Sequence, residues 1–303
     1  MLNQLSSLTG FAFVAEPLER ADPLRADTEA LARLWPDARI LVLDPDGTAF
    51  TGADDQPLAL TGADVGGGPG TAIFLGLRGE QAWFSVESSA VNLSAAGRMD
   101  LRQAALQWPI ADATAFCYAR GMSYWHSRNR YCGVCGGEVR FERGGFIGRC
   151  QKCAIEHYPR VDPAVIVAVQ NRGRLLLGRQ AGWAPRRYSV LAGFVEPGES
   201  LEQTVVREVF EEAKVKVSAC QYLGTQPWPF PGALMVGFSA QAEDGEPEVD
   251  GELEDARWFT VEEVGAAIAR DLHDDGEGIR LSPPISISRS LIEHWYQQQT
   301  GVR

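Results

Sequence analysis

The sequence predicts an α/β protein: an α/β/α sandwich over residues 161–303, preceded by a four-cysteine zinc ribbon over 126–160 and an α+β module over 1–125. Three observations predict it. Segments of strand and helix period alternate through the last half of the chain, two CxxC pairs stand just ahead of them, and strand-like runs give way to a helical stretch in the first module.

In the first module, 37–50 (DARILVLDPDGTAF) reads as a strand entering a turn at Asp46-Gly47, and 71–77 and 81–87 read as strands across a short connection. Gly66-Gly67-Gly68-Pro69-Gly70 reads as a loop and not as a phosphate cradle, because no Lys-Ser/Thr and helix pattern follows. From Met99 to Arg128 the apolar spacing turns helical, through Leu101, Ala105, Leu106, Ala113, Phe116, Tyr118 and Ala119. The module carries no identifiable catalytic motif.

Cys132-Gly-Val-Cys135 and Cys150-Gln-Lys-Cys153 are separated by fourteen residues. Four thiolates satisfy tetrahedral Zn²⁺ and close the site to water, so one structural zinc per chain is expected. A redox pair is the rival reading; two such pairs at this separation favour zinc. Cys117 and Cys220 sit among apolar residues and read as inert core.

Beyond the ribbon, 161–170 and 174–180 flank Asn171-Arg172-Gly173, a hairpin signal, and 189–196 forms a further strand. Residues 234–242 and 256–262 supply later strands, whereas 261–270 and 286–299 have helical spacing. The stretch 243–255, EDGEPEVDGELED, reads as a solvated acidic loop.

The chain centres on 193–215, GFVEPGESLEQTVVREVFEEAKV. At about 100° per residue, Glu208, Glu211 and Glu212 fall on one helix face, with Val206, Val209, Phe210 and Ala213 on the opposite one. Carboxylates at i, i+3 and i+4 repel one another, and a bound cation would reverse that sign. Their hard oxygens suit Mg²⁺ or Mn²⁺.

This spacing resembles the Nudix box, Gx5Ex7REUxEExGU with U aliphatic, the signature of hydrolases that cleave nucleoside diphosphates linked to another group. Lys214 stands where that signature has glycine, near a helix end where a left-handed backbone is common, at a cost of about 1 kcal/mol. With a zinc ribbon ahead of the box, the resemblance narrows to the NADH pyrophosphatase (NudC-type) branch. Thr225-Gln226-Pro227-Trp228-Pro229-Phe230-Pro231 is close to that branch's SQPWPFPxS, with Thr225 for the first serine and Ala233 for the last.

The resemblance covers residues 99–298 well and 1–98 only by position. It implies hydrolysis of the pyrophosphate bond of NADH or NAD⁺ to nicotinamide mononucleotide and AMP. It also implies Mg²⁺ or Mn²⁺ held by Glu208, Glu211, Glu212, Glu252 and the carbonyl of Ala192. Arg207 and Glu199 complete the catalytic set as a pair that keeps loop and helix in register. Tyr158 and Phe194 match positions that stack on substrate, Gln226 to Pro231 form a rigid base-recognition loop, and Ser288 matches a substrate-touching helix start. A homodimer is implied too.

The net charge of −12, from 28 basic and 40 acidic side chains, disfavours a broad nucleic-acid footprint and fits small phosphorylated ligands handled through metal ions. No run approaches 18 apolar residues and no leader or retention signal is recognised, so a soluble cytoplasmic protein with no membrane partner is expected. Two other readings stay open. One is removal of an NAD cap from RNA by the same chemistry, for which the basic, aromatic stretch 120–132 offers a contact, although it also reads as a helix end. The other is a non-catalytic module that only senses nucleotides, favoured by Lys214 and Ala233 and opposed by the intact glutamates.

Overall fold

The computed structural model describes residue 8, residues 10–270 and residues 276–301. Two compact units result, one of residues 13–161 with 228–232, the other of residues 1–12, 162–227 and 233–303. Among the described residues no helix is long and apolar enough to cross a membrane.

The unit carrying residues 13–161 opens with α1 (Asp22–Arg25) and α2 (Thr28–Leu34), followed by β1 (Arg39–Leu43), β2 (Ala49–Thr51), β3 (Leu60–Thr61), α3 (Gly62–Val65), β4 (Ile73–Arg78), β5 (Gln81–Glu87) and β6 (Gly97–Met99). The strands form one sheet in the order β4-β5-β1-β2-β6, with β3 beside β1 and only the β1–β5 pair parallel. Phe74, Phe84 and Trp35 meet ring to ring in its core.

The expected helical stretch divides into α4 (Leu101–Gln107) and α5 (Ile110–Arg128). Proline disfavours a helical residue before it, and Trp108, ahead of Pro109, is extended at φ −86°, ψ 158°. The N-cap of α4 is Asp100, whose carboxylate accepts from the N–H groups of Arg102 and Gln103.

The ribbon is a three-stranded antiparallel sheet of β7 (Val139–Glu142), β8 (Ile147–Cys150) and β9 (Glu156–His157). It gathers the four cysteine sulfurs within 4.8 Å of one another. Cys117 is buried, which pushes its thiol up to about 12, as an inert core residue requires.

The other unit holds β10 (Asp162–Asn171), β11 (Arg174–Arg179), β12 (Leu191–Phe194), α6 (Leu201–Ala213), β13 (Val217–Trp228, its last residue grouping with the first unit), β14 (Ala233–Ala242), β15 (Asp255–Phe259), α7 (Val261–Arg270) and α8 (Ile287–Thr300). Its strand order is β13-β14-β10-β11-β15, with β12 beside β10. At the β10–β11 turn Arg172 and Gly173 have φ of 49° and 71°, the positive values of a tight hairpin turn, and Asn171 pairs with Arg174. Val165, Val167 and Val169 point from β10 into a core shared with Val205 and Val209 of α6. Helix α8 packs on β10 and β14. Helices therefore lie on a mixed sheet as the alternating pattern predicts.

Two expectations are corrected here. The stretch from Thr225 to Trp228 is the end of strand β13 and not loop; only 229–232 turn. As an edge strand β13 tolerates Pro227, which cannot donate to a ladder, and its weak burial alternation leaves no strand period to read. In α6 the buried apolar face is Val205, Val209 and Ala213, whereas Val206 and Phe210 are exposed.

Gln226 is completely buried and its amide is used within the unit, donating to the carbonyls of Ala12 and Ile285 and accepting from the N–H of Ile287. Replacing it with alanine orphans three backbone groups, each costing about 1–3 kcal/mol. We expect Gln226→Ala to lower the thermal midpoint by several degrees at least, followed by circular dichroism. An unchanged midpoint would show that these bonds do not hold the strand end.

Candidate active site

The site grows from the turn between β12 and α6. Ser200 caps α6 by accepting from the N–H of Gln203, whose side chain accepts from the N–H of Ser200, so the helix starts at a fixed point. It ends at Lys214, left-handed at φ 56°, where the box signature has glycine. The lysine side chain secures itself there: Nζ donates to the carbonyl of Glu211 and, at 2.6 Å, to Asp250.

Arg207 lies at the centre. Its Nε and Nη2 hold the two oxygens of Glu199 at 2.6 and 2.9 Å, Nη1 reaches Glu208 at 2.9 Å and Glu211 at 2.8 Å, and Nη2 also donates to the carbonyl of Phe194 at 2.9 Å. All five N–H donors of the guanidinium are thereby engaged. The bonds from Arg207, with the N–H of Glu196 and the hydroxyl of Thr204, hold the Glu199 carboxyl down at about 2. The expected Arg207–Glu199 pair is present, and it extends to two glutamates of the box.

The three glutamates have different environments. Glu211 is half exposed at 53%, Glu208 is mostly covered, and Glu212 is only 4% exposed. Burial, then the charges of Glu208 and Glu252, push the Glu212 carboxyl up to about 8. Its Oε2 is buried with no hydrogen-bond partner. Burial likewise raises Glu208, with Glu211 and Glu252 adding to it. Glu252, exposed in the acidic loop, therefore stands close enough to act on both. A buried carboxylate oxygen lacking a donor takes up positive charge, as a proton or as a cation, so Glu212 Oε2 is suited to a hard divalent ion, although among the described residues only the four ribbon cysteines converge within one metal-sized cluster. Ala192 and Gly193 lie on β12, paired with Ile166 and Val165.

Gly193 is required by closeness: a Cβ there would lie 1.8 Å from Cδ of Glu208 and about as close to both its oxygens.

The remaining expected positions divide. Phe194, directly after Gly193 in the box, is 59% exposed. Tyr158 is 50% exposed directly after β9, its hydroxyl donating to Glu156, which also bonds Arg149 of β8; the ribbon thus braces it. Trp228 and Phe230 stand 4.9 Å apart between ring centroids, with Pro229 buried and Pro231 exposed. Ser288 is buried and shares a 2.7 Å hydrogen bond with Ser189, and Gln226 is fully occupied inside the fold. Sequence reasoning did not identify Thr204 or Lys214 as parts of this network; an i, i+4 offset from Ser200 is the only local signal for Thr204.

In the ribbon, Cys132 and Cys153 have sulfurs 3.7 Å apart and Cys135 and Cys150 3.4 Å apart. Zn–S bonds of about 2.3 Å in a tetrahedron set sulfurs about 3.8 Å apart, so the cluster fits zinc. The N–H groups of Cys153 and Lys152 point at Cys150 Sγ and favour its thiolate.

Residues 160–281 match the family described as the NUDIX domain, and 127–158 the one described as the NADH pyrophosphatase zinc ribbon domain. A protein of Mycobacterium bovis named NAD-capped RNA hydrolase NudC is 38% identical over 303 residues, spanning 91% of this chain and 92% of that one. The chain belongs to the NudC family of Nudix hydrolases. A second NudC, from Stutzerimonas stutzeri, is 42% identical over 186 residues, 61% of this chain and 62% of that protein. A crystal structure of a Nudix hydrolase from Nitrosomonas europaea aligns with 57% of this chain and 93% of that one, at 25% identity and a TM-score of 0.44. The NudC assignment spans the first module as well, which motifs alone reached only by position.

In this NudC-family chain, Gly193→Ala should leave the fold intact while displacing the Glu208 carboxylate. Misplacing a reacting group by about 1 Å can cost on the order of 100-fold, and we expect kcat to fall by at least that much. Turnover within a few-fold of the parent would show that the close approach is not needed.

Proposed function

We propose that the protein hydrolyses the pyrophosphate bond of NADH or NAD⁺, giving nicotinamide mononucleotide, reduced or oxidised, and AMP. The carrying observation is the partnerless, buried Oε2 of Glu212 among Glu208, Glu211 and Glu252. The diphosphate is anionic and repels a nucleophile; bound Mg²⁺ or Mn²⁺ supplies charge neutralisation and lowers the pKa of water. Glu208, Glu211, Glu212 and Glu252, with the carbonyl of Ala192, are the residues that would hold such ions.

The chain's own groups do the rest. Arg207 fixes the directions of Glu208 and Glu211, and Glu199 fixes Arg207. Phe194, in the unit that carries the glutamates, offers a face to the nicotinamide or adenine ring; Tyr158, Trp228 and Phe230 belong to the other unit, and Pro227, Pro229 and Pro231 stiffen the segment around Trp228 and Phe230. Gln226 and Ser288 serve this reading as buried supports. The ribbon's zinc, one per chain, is structural, because cysteine fills all four positions. Family likeness alone supports a homodimer and a cytoplasmic setting.

A second substrate is favoured by the names of the relatives, which are NAD-capped RNA hydrolases. The same bond broken in a 5′ NAD cap would leave a 5′-monophosphate RNA. Product analysis by chromatography and mass spectrometry, with Mg²⁺ or Mn²⁺, tests both. We expect AMP with nicotinamide mononucleotide from the free dinucleotides, monophosphate RNA from the capped strand, and a loss on the order of 100-fold or more in Glu212→Gln. Cleavage at any other bond, or full activity in that variant, would contradict the reading.

A further inference from the structure

A cavity of about 240 Å³ lies wholly within the unit of residues 13–161, between its sheet and α5. Phe84 and Val86 of β5 join the core around Trp35, so by strand alternation Ser85 points to the opposite face, where α5 packs on β1, β4 and β5. The stripe of α5 turned to the sheet is apolar and buried at Ala113, Phe116 and Cys117. Continued at helical spacing it becomes polar, through Arg120, Ser123, Tyr124 and Ser127, and all four line the cavity. Where the core would continue, the sequence therefore places hydroxyls and a guanidinium.

The donors facing this cavity are unused. Ser85 is 1% exposed, and its Oγ has no hydrogen-bond partner. Among the described residues the half-buried Arg120 has neither a hydrogen bond nor an ion pair; Phe230 covers one face of its guanidinium, with Cζ 4.8 Å from the ring centroid, which leaves the N–H edges free. The acceptors, in contrast, are committed. Asp44 pairs with Arg98, Asp46 accepts from the N–H and hydroxyl of Thr48, and Glu87 accepts from Ser89 and lies 3.6 Å from Arg130. One guanidinium is left without a partner, beside a buried hydroxyl that lacks one too. Burial, then the charge of Arg102, pushes that guanidinium down, a cost that a bound anion would relieve.

We infer that this cavity binds a small monocarboxylic acid with an apolar body, its carboxylate taken by Arg120 and the unused hydroxyls and its body by Leu43, Ile73 and Phe141, which line the cavity with them. A single partnerless cation calls for a single negative charge, and guanidinium and carboxylate match as planar forks. A dianion would exceed that charge beside Asp44, Asp46 and Glu87, which also line the cavity. The volume lies below the range of about 300–1,000 Å³ typical of pockets for drug-sized molecules, which limits the body to about one ring. The site goes beyond the hydrolysis proposed above and does not depend on it.

Isothermal titration of the full chain with benzoate tests this, with benzamide, acetate and inorganic phosphate for comparison. We expect benzoate to bind the parent with a millimolar Kd or tighter and to raise its thermal midpoint. Benzamide, which lacks the charge, and acetate, which lacks the ring, should each bind on the order of tenfold more weakly. Phosphate should not displace benzoate. Arg120→Gln should weaken benzoate binding on the order of tenfold or more, and Ser85→Ala by a few-fold. Ser85→Ala removes one hydroxyl that bonds to nothing in the fold, so it carries the test even if the arginine variant does not fold. Benzoate affinity unchanged in the variants, benzamide binding as tightly as benzoate, displacement by phosphate, or no benzoate binding by the parent would each overturn the inference. None of these readouts involves turnover, so loss of NAD⁺ hydrolysis would bear on the proposed function alone.

Discussion

The guanidinium of Arg207 is the interaction on which the site depends. Its five N–H groups tie the end of β12, through the carbonyl of Phe194, to Glu199 in the turn and to Glu208 and Glu211 on α6. Without it, three carboxylates from one stretch of chain would repel each other into solvent. The arrangement also gives Glu199 a place, as the acceptor of two of those N–H groups. A carboxylate held down at about 2 is a permanent anion, and it keeps the arginine oriented when the other two glutamates turn to a ligand.

Burial then separates glutamates that spacing makes look alike. Glu211 remains wet, Glu208 is covered by the approach of Gly193, and Glu212 is sunk beside the apolar face of α6. A shift to about 8 is the sign of a carboxyl that cannot stay charged without help. The offsets Glu208, Glu211 and Glu212 were legible in the sequence because helical period is strict. Which of them is buried was not, because it depends on the tilt of α6 against β10 and β12. The same uncertainty put Val206 and Phe210 on the inner face, where Val205 in fact sits.

Elsewhere legibility follows the strength of the local signal. The turn at Asn171-Arg172-Gly173, the ribbon cysteines and the strands around Val165 and Leu176 announce themselves by turn chemistry, ligand spacing or continuous apolar runs. Strand β13 does not, since an edge strand with polar residues, Gly224 and Pro227 has no period of two. The long-range roles of Gln226 and Ser288 were equally hidden. Their partners, Ala12, Ile285 and Ser189, are remote in sequence and only the fold brings them together.

The account's central claim is that the box glutamates hold a divalent cation at the buried oxygen of Glu212. An anomalous difference map from crystals grown with Mn²⁺ tests it most directly. The account predicts a peak at bonding distance, about 2.0–2.3 Å, from Glu212 Oε2, with Glu208 also a ligand. A Mn²⁺ peak bound elsewhere in the unit, with Glu212 Oε2 still without a partner, would contradict it.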